Sequence, residues 1–165
     1  MKKIILSIMA LLVVSACASR DKEIMSESER AHRDAAWAEV DVENLDATQM
    51  SKAFERDVQT TVYFGFNNAY LTPATVEVLK KQAEWLVAHP NAYVAIEGHC
   101  DERGTREYNL ALGETRAMEI KNFLVRQGVT PNRIRTISYG KERPAFFGSN
   151  EEAWAKNRRG VTVVF

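Results

Sequence analysis

The residues with the most ionic chemistry lie close together, in the stretch Ile96 to Ala117, IEGHCDERGTREYNLALGETRA. Asp101 is an acceptor. Arg103 and Arg116 are donors, the first on a polar loop and the second on the helix that follows it. A loop of mixed acceptors and donors held between two regular elements is how a rigid scaffold presents a small charged ligand site. Taken alone, these residues also allow plainer roles. Asp101 can cap its loop or pair with Arg103, and Arg116 can be a solvated helix residue.

Catalysis and metal binding fit this stretch poorly. His99, Cys100 and Asp101 are adjacent at a strand end, where successive side chains leave opposite faces of the chain. A nucleophile and its base must meet within hydrogen-bond reach, and zinc needs converging ligands at a recognisable spacing. No C-x-x-C or H-x-x-x-H accompanies them. Asp101 and Glu102 as a glycosidase pair would have to stand about 5 to 9.5 Å apart across a cleft, which suits adjacent residues badly. Gly140-Lys141 is not followed by the Ser or Thr that a phosphate loop requires. Arg158 and Arg159 read better as an internal polar network and the start of a strand than as a phosphate pair. The expectation is no catalytic residue, no metal and no cofactor.

The elements that position this stretch follow from periodicity. Thr61 to Phe66 is aromatic and β-branched, a strand signal. Thr72-Pro73 starts a helix by cap and first-turn proline, with Val76, Leu79, Ala83, Leu86 and Val87 at helical spacing and His89-Pro90 ending it. Ala92 to Glu97 reads as a second strand. Glu107 to Gln127 is the main helix, with an apolar stripe of Leu110, Gly113, Ala117, Ile120 and Leu124 and with Gly128 as its stop. Gly113 on that stripe implies close approach to the sheet. Arg133 to Tyr139 is a third strand, Ser149-Asn150 caps a short helical turn, and Val161 to Phe165 is the last strand. Strands alternating with helices predict a two-layer α/β domain of βαβαββ order.

The chain has 165 residues, enough for one domain and extensions. Lys and Arg number 22, matching Asp and Glu, so no basic footprint argues for nucleic acid. Lys2, Lys3 and the apolar run Ile4 to Val14 form an export signal, too short for the about 20 residues of a membrane span. Without Lys2 and Lys3 the balance turns slightly acidic. Small residues before Cys17 resemble a bacterial lipobox. Residues 1–16 are then a signal peptide, and 17–60 a lipidated N-terminus and charged tether. Several acyl chains would anchor it stably, where one does so only marginally. The absence of Asp after Cys17 favours the outer membrane. The rest of the tether reads as solvated, with Ser26 to Val40 and Asp46 to Asp57 as alternative short helices, the second packing Met50 and Phe54 on the domain, and Trp37 an isolated aromatic. Cys100 is left unbridged, either shielded or reactive.

Gly98 to Thr105, Tyr108-Asn109-Leu110, Leu112-Gly113 and Arg116-Ala117 together resemble the peptidoglycan-associated lipoproteins of the Tol-Pal system, whose globular part is an outer membrane protein A C-terminal-like domain. The likeness continues through Val62-Tyr63-Phe64, Ser138 to Pro144 and Trp154 to Arg159, so it covers residues 61–165 in order. It implies helices on one face of a mixed four-stranded sheet. It implies a non-covalent grip on meso-diaminopimelate of peptidoglycan, with Asp101 taking the ammonium and Arg116 clamping the carboxylate. Arg103, Leu112, Phe66 and Asn67 are further contacts by resemblance. The family usually has Asp where Asn67 stands, which removes a charge and keeps an acceptor. The resemblance also implies TolB and TolA as partners, a periplasm-facing domain on the outer membrane, and a part in its invagination during division.

Overall fold

The computed structural model describes residues 47–165, so the signal segment, Cys17, Trp37 and the Ser26 to Val40 helix lie outside the described residues. The elements in chain order are α1 (Ala47–Asp57), β1 (Thr61–Tyr63), α2 (Pro73–Ala88), β2 (Val94–His99), α3 (Arg106–Arg126), β3 (Ile134–Gly140), α4 (Glu151–Asn157) and β4 (Arg159–Val164). A single 3-10 turn, Pro131–Arg133, leads into β3.

The sheet has four strands in the order β1-β4-β2-β3. β4 runs antiparallel to both neighbours, while β2 and β3 are parallel. A parallel pair needs a long crossover, and α3 provides it. α1, α2 and α3 bury Phe54, Leu79, Leu86, Ala117, Ile120 and Leu124 against Val62, Val94, Ile96, Ile134 and Val164, one core under the sheet. The mixed sheet and the α/β architecture are those the sequence predicts.

Several boundaries differ for physical reasons. β1 stops at Tyr63, not Phe66, because its partner β4 begins at Arg159 and the register ends at that pair. β2 runs two residues later than its periodicity suggests, into His99, with an irregularity at Gly98/His99. On α2, Trp85 is buried where Val87 was expected, and Val87 is exposed. Trp85 packs edge-on to Phe54 and stacks on His89, filling more volume than a valine. α1 is the short helix expected at Asp46 to Asp57, described from Ala47 onward. Met50, Ala53 and Phe54 are buried in the common core, so compact structure begins upstream of Thr61.

Two glycines set the α3-to-sheet distance. A Cβ on Gly98 would strike the Gly113 carbonyl, and one on Gly113 would strike the Ser138 hydroxyl. This is the close approach anticipated for Gly113. At the far end of α2, buried Arg133 donates to the carbonyls of Leu86, His89 and Ala92 at 2.7–3.0 Å, completing groups that a helix end leaves open.

Candidate functional site

The Asp101 carboxylate lies just past the end of β2, only 5% exposed. Arg103 binds it through its backbone N–H at 3.1 Å and through its guanidinium at 3.1 and 2.7 Å. Arg158, at the junction of α4 and β4, donates to Oδ2 at 3.3 Å and to Glu151 at 2.6 Å. Burial would push the Asp101 pKa up, but the hydrogen bonds from Arg103 and then Arg158 outweigh it and hold the carboxyl below its usual range. The plain pairing of Asp101 with Arg103 is therefore real, and both oxygens are already engaged.

Arg103 is held flat. Its guanidinium lies 4.2 Å from the Phe66 ring centre and 4.0 Å from that of Trp154, an arrangement that fixes an arginine with little motion left to lose. Trp154 is itself anchored by its indole N–H to Glu102 at 3.0 Å.

Arg116 is fully buried, which the sequence does not suggest for an arginine beside an apolar stripe. It donates to the carbonyls of Asn68, His99 and Gly65 at 2.9, 2.7 and 3.0 Å, and to the Cys100 sulfur at 3.4 Å. Its fork thus ties the β1–α2 segment to the end of β2. Burial pulls its pKa down from the ordinary arginine value. Cys100 is shielded, not reactive. It is 3% exposed, donates to the Asn109 carbonyl, and has a thiol pKa raised by burial.

These groups border one cavity of about 380 Å³. Asp101, Arg103, Arg116, Leu112, Phe66 and Asn67 all line it, as do Tyr108, Asn109, Gly104 and Cys100. Asn67 has a left-handed backbone (φ 51°), which asparagine tolerates better than most residues. Its side-chain oxygen accepts from the Tyr108 hydroxyl. Asn109 is buried and donates to the carbonyls of Arg103 and Thr105, fixing the loop.

His99 turns away from this cavity. It lies against Tyr139 and within 3.4 Å of Glu97, with Nδ1 unpartnered. Burial first, then Arg159 and Arg143, lower its pKa to about 4. The triplet His99-Cys100-Asp101 is thus divided between two environments.

Tyr108, Asn109 and Trp154 were not singled out as site residues from sequence. The signal existed for Tyr108, which shares a helix face with Leu112 and Arg116 at steps of four. For Trp154, which approaches from a distant segment, no local pattern exists.

Residues 63–158 match the OmpA family model. The chain is 46% identical over 114 residues to the peptidoglycan-associated lipoprotein of Brucella melitensis, covering 69% of this chain and 68% of that one. It is 33% identical over 161 residues to that of Mesorhizobium japonicum, covering 98% and 90%. The crystal structure of the peptidoglycan-associated lipoprotein from Burkholderia pseudomallei superposes with a TM-score of 0.64 at 38% identity, covering 65% of this chain and 91% of that chain. The motifs, the mixed four-stranded α/β fold and these matches agree, and the chain belongs to the OmpA family and within it to the peptidoglycan-associated lipoproteins.

Proposed function

We propose that this protein is a lipid-anchored tether that grips peptidoglycan without turning it over. The observation that carries the reading is the cavity beside β2. It joins an ionised acceptor, two guanidiniums and apolar walls around a space of about 380 Å³, which has room for one amino acid side chain. The free end of meso-diaminopimelate bears an ammonium and a carboxylate. Asp101 and the Asn67 amide oxygen face the first. Arg103, with the one N–H of Arg116 given neither to a carbonyl nor to the Cys100 sulfur, faces the second. Phe66 and Leu112 cover the methylenes. Names of relatives support the wall as the target.

The carboxyls of the loop support a binding role. Hydrogen bonds from the Trp154 indole and then Ser149 hold the Glu102 pKa below its usual value, as those from Arg103 do for Asp101. A wall hydrolase needs one carboxyl kept protonated, and neither is.

The wider role extends this reading. Residues 1–16 direct export, Cys17 carries the acyl chains, and the domain faces the periplasm from the outer membrane. TolB and TolA are its partners, and together they draw that membrane inward during division and keep the envelope intact. One small ion-paired ligand gives modest affinity, and many copies on one sacculus add avidity.

The test is co-sedimentation with diaminopimelate-type sacculi, with lysine-type sacculi as control. Wild type is expected to pellet selectively. Arg103→Ala and Phe66→Ala, both solvent-accessible positions, are expected to stay in solution while melting close to wild type. Equal pelleting by both variants would move the grip elsewhere on the domain.

A further inference from the structure

The His99 ring is 1% exposed and lies among several segments on the side of β2 away from the cavity. Glu97 of the same strand stands 3.4 Å from its Nε2, and Tyr139 of β3 lies 5.4 Å away, ring centre to ring centre. The loop after β3 brings Arg143, whose guanidinium covers the Tyr139 ring at 3.8 Å. β4 brings Arg159, which donates to the Arg143 carbonyl at 3.1 Å and is paired in register with Tyr63 of β1. Nδ1 of His99 and Nη1 of Arg159 are both buried with no hydrogen-bond partner among the described residues. Glu97 and the Arg143 backbone favour a charged ring, but burial and the two guanidiniums outweigh them and the ring is neutral at pH 7. A proton added here sets a third positive charge beside two others, out of reach of water.

The backbone of the same residue belongs to the cavity. The His99 carbonyl accepts from buried Arg116 at 2.7 Å. The next residue, Cys100, is tied by its N–H to the Gly140 carbonyl at 2.8 Å and by its thiol to the Asn109 carbonyl at 3.3 Å. Asp101 follows directly. A ring driven from its slot therefore pulls on the carbonyl that Arg116 holds. The ladder allows the move at this point. β2 and β3 stay in register from Val94 to Gly98, and the register slips between Gly98 and His99. Such an irregularity leaves the strand end able to bend while the paired part holds.

We propose that His99 is an acid-operated latch: its protonation expels the ring toward solvent, turns the His99 carbonyl away from Arg116 and unshields Cys100, loosening the cavity from behind. The sign is that of a base held neutral by the fold. The closed form is fully favoured above the ordinary histidine value of 6.5 and gives way as pH falls toward 4. A weaker grip on the wall in acid is the consequence. That consequence rests on the diaminopimelate reading above, and the latch itself does not.

The test reads Cys100 and uses no ligand, so its failure leaves the wall-binding reading standing. The full chain in detergent is treated with a dipyridyl disulfide, a reagent for thiols, between pH 7 and pH 4. Mass spectrometry separates the Cys100 adduct from that of Cys17, and each rate is divided by that of free cysteine at the same pH. Circular dichroism follows the helices in parallel. Cys100 is expected to react about a hundredfold faster at pH 4 than at pH 7, the opening that a histidine lowered from 6.5 to about 4 permits, with the helix signal unchanged. His99→Gln should stay slow throughout. Arg159→Gln removes one of the repelling cations and should show a smaller acceleration than wild type. Equal acceleration in wild type and His99→Gln overturns the latch. So does an acceleration that tracks loss of the helix signal, or no acceleration at all. Where His99→Gln does not fold, Arg159→Gln decides alone, and an acceleration as large as that of wild type refutes the proposal.

Discussion

Asp101 is held in its charged form by two arginines from different segments, so its removal and the removal of one arginine should differ. Asp101→Asn leaves buried Arg158 with Glu151 as its ionic partner beside the Phe64 carbonyl, and breaking a buried pair costs about 3–5 kcal/mol, less whatever Glu151 recovers. Arg103 is a third exposed. Its loss should cost less stability than the loss of Asp101, since Arg158 still pairs the carboxylate, while removing a donor from the cavity. Urea titration beside sacculus pelleting separates the two effects: Asp101→Asn should fail in both, Arg103→Ala chiefly in pelleting. His99 gives a second residue-level prediction. Its folded pKa of about 4 lies below the ordinary histidine value of 6.5. Between these values the unfolded chain binds more protons, so its contribution is full above pH 6.5 and is lost as pH falls toward 4. The expected loss is on the order of 3 kcal/mol, and His99→Gln should flatten it. Equal pH slopes in the two proteins would show that some other group carries the dependence.

The elements explain why parts of the site were legible and others were not. The α3 stripe of Gly113, Ala117, Ile120 and Leu124 is written in steps of three and four, and those residues are buried. Leu110 is only half-buried, because the N-terminal end of the helix faces the loop and cavity. Arg116 was harder to read, since its burial depends on carbonyls from two other segments and periodicity records only its own helix. The β1 boundary was equally hidden, as it is set by where β4 begins. Packing between α3 and the sheet yields a further prediction. Gly113→Ala should gain about 1 kcal/mol in helix propensity yet destabilise overall, by roughly 1–3 kcal/mol, because overpacking forces backbone shifts. Thermal melts would decide this, and a raised melting point would mean that Ser138 moves aside freely.

At the scale of the whole molecule, α1 makes the folded unit longer than the family motifs alone indicate. Phe54 is 1% exposed and meets Trp85 edge-on at 5.0 Å. Phe54→Ala should therefore cost about 3–5 kcal/mol, and a chain begun at Thr61 should unfold at lower urea than one begun upstream of Ala47. If the two unfold together, α1 is a passenger on the core.

The Arg116 fork has a consequence in time. The carbonyls it holds, on Gly65, Asn68 and His99, lie 51, 48 and 17 residues away along the chain. Arg158 reaches Asp101 and Phe64 across 57 and 94 residues. Contacts so distant in sequence close late, after their loop entropy has been overcome. The cavity then has no precursor: a half-folded chain has nothing with which to hold a ligand, and ligand capture should appear only with the final kinetic phase of refolding.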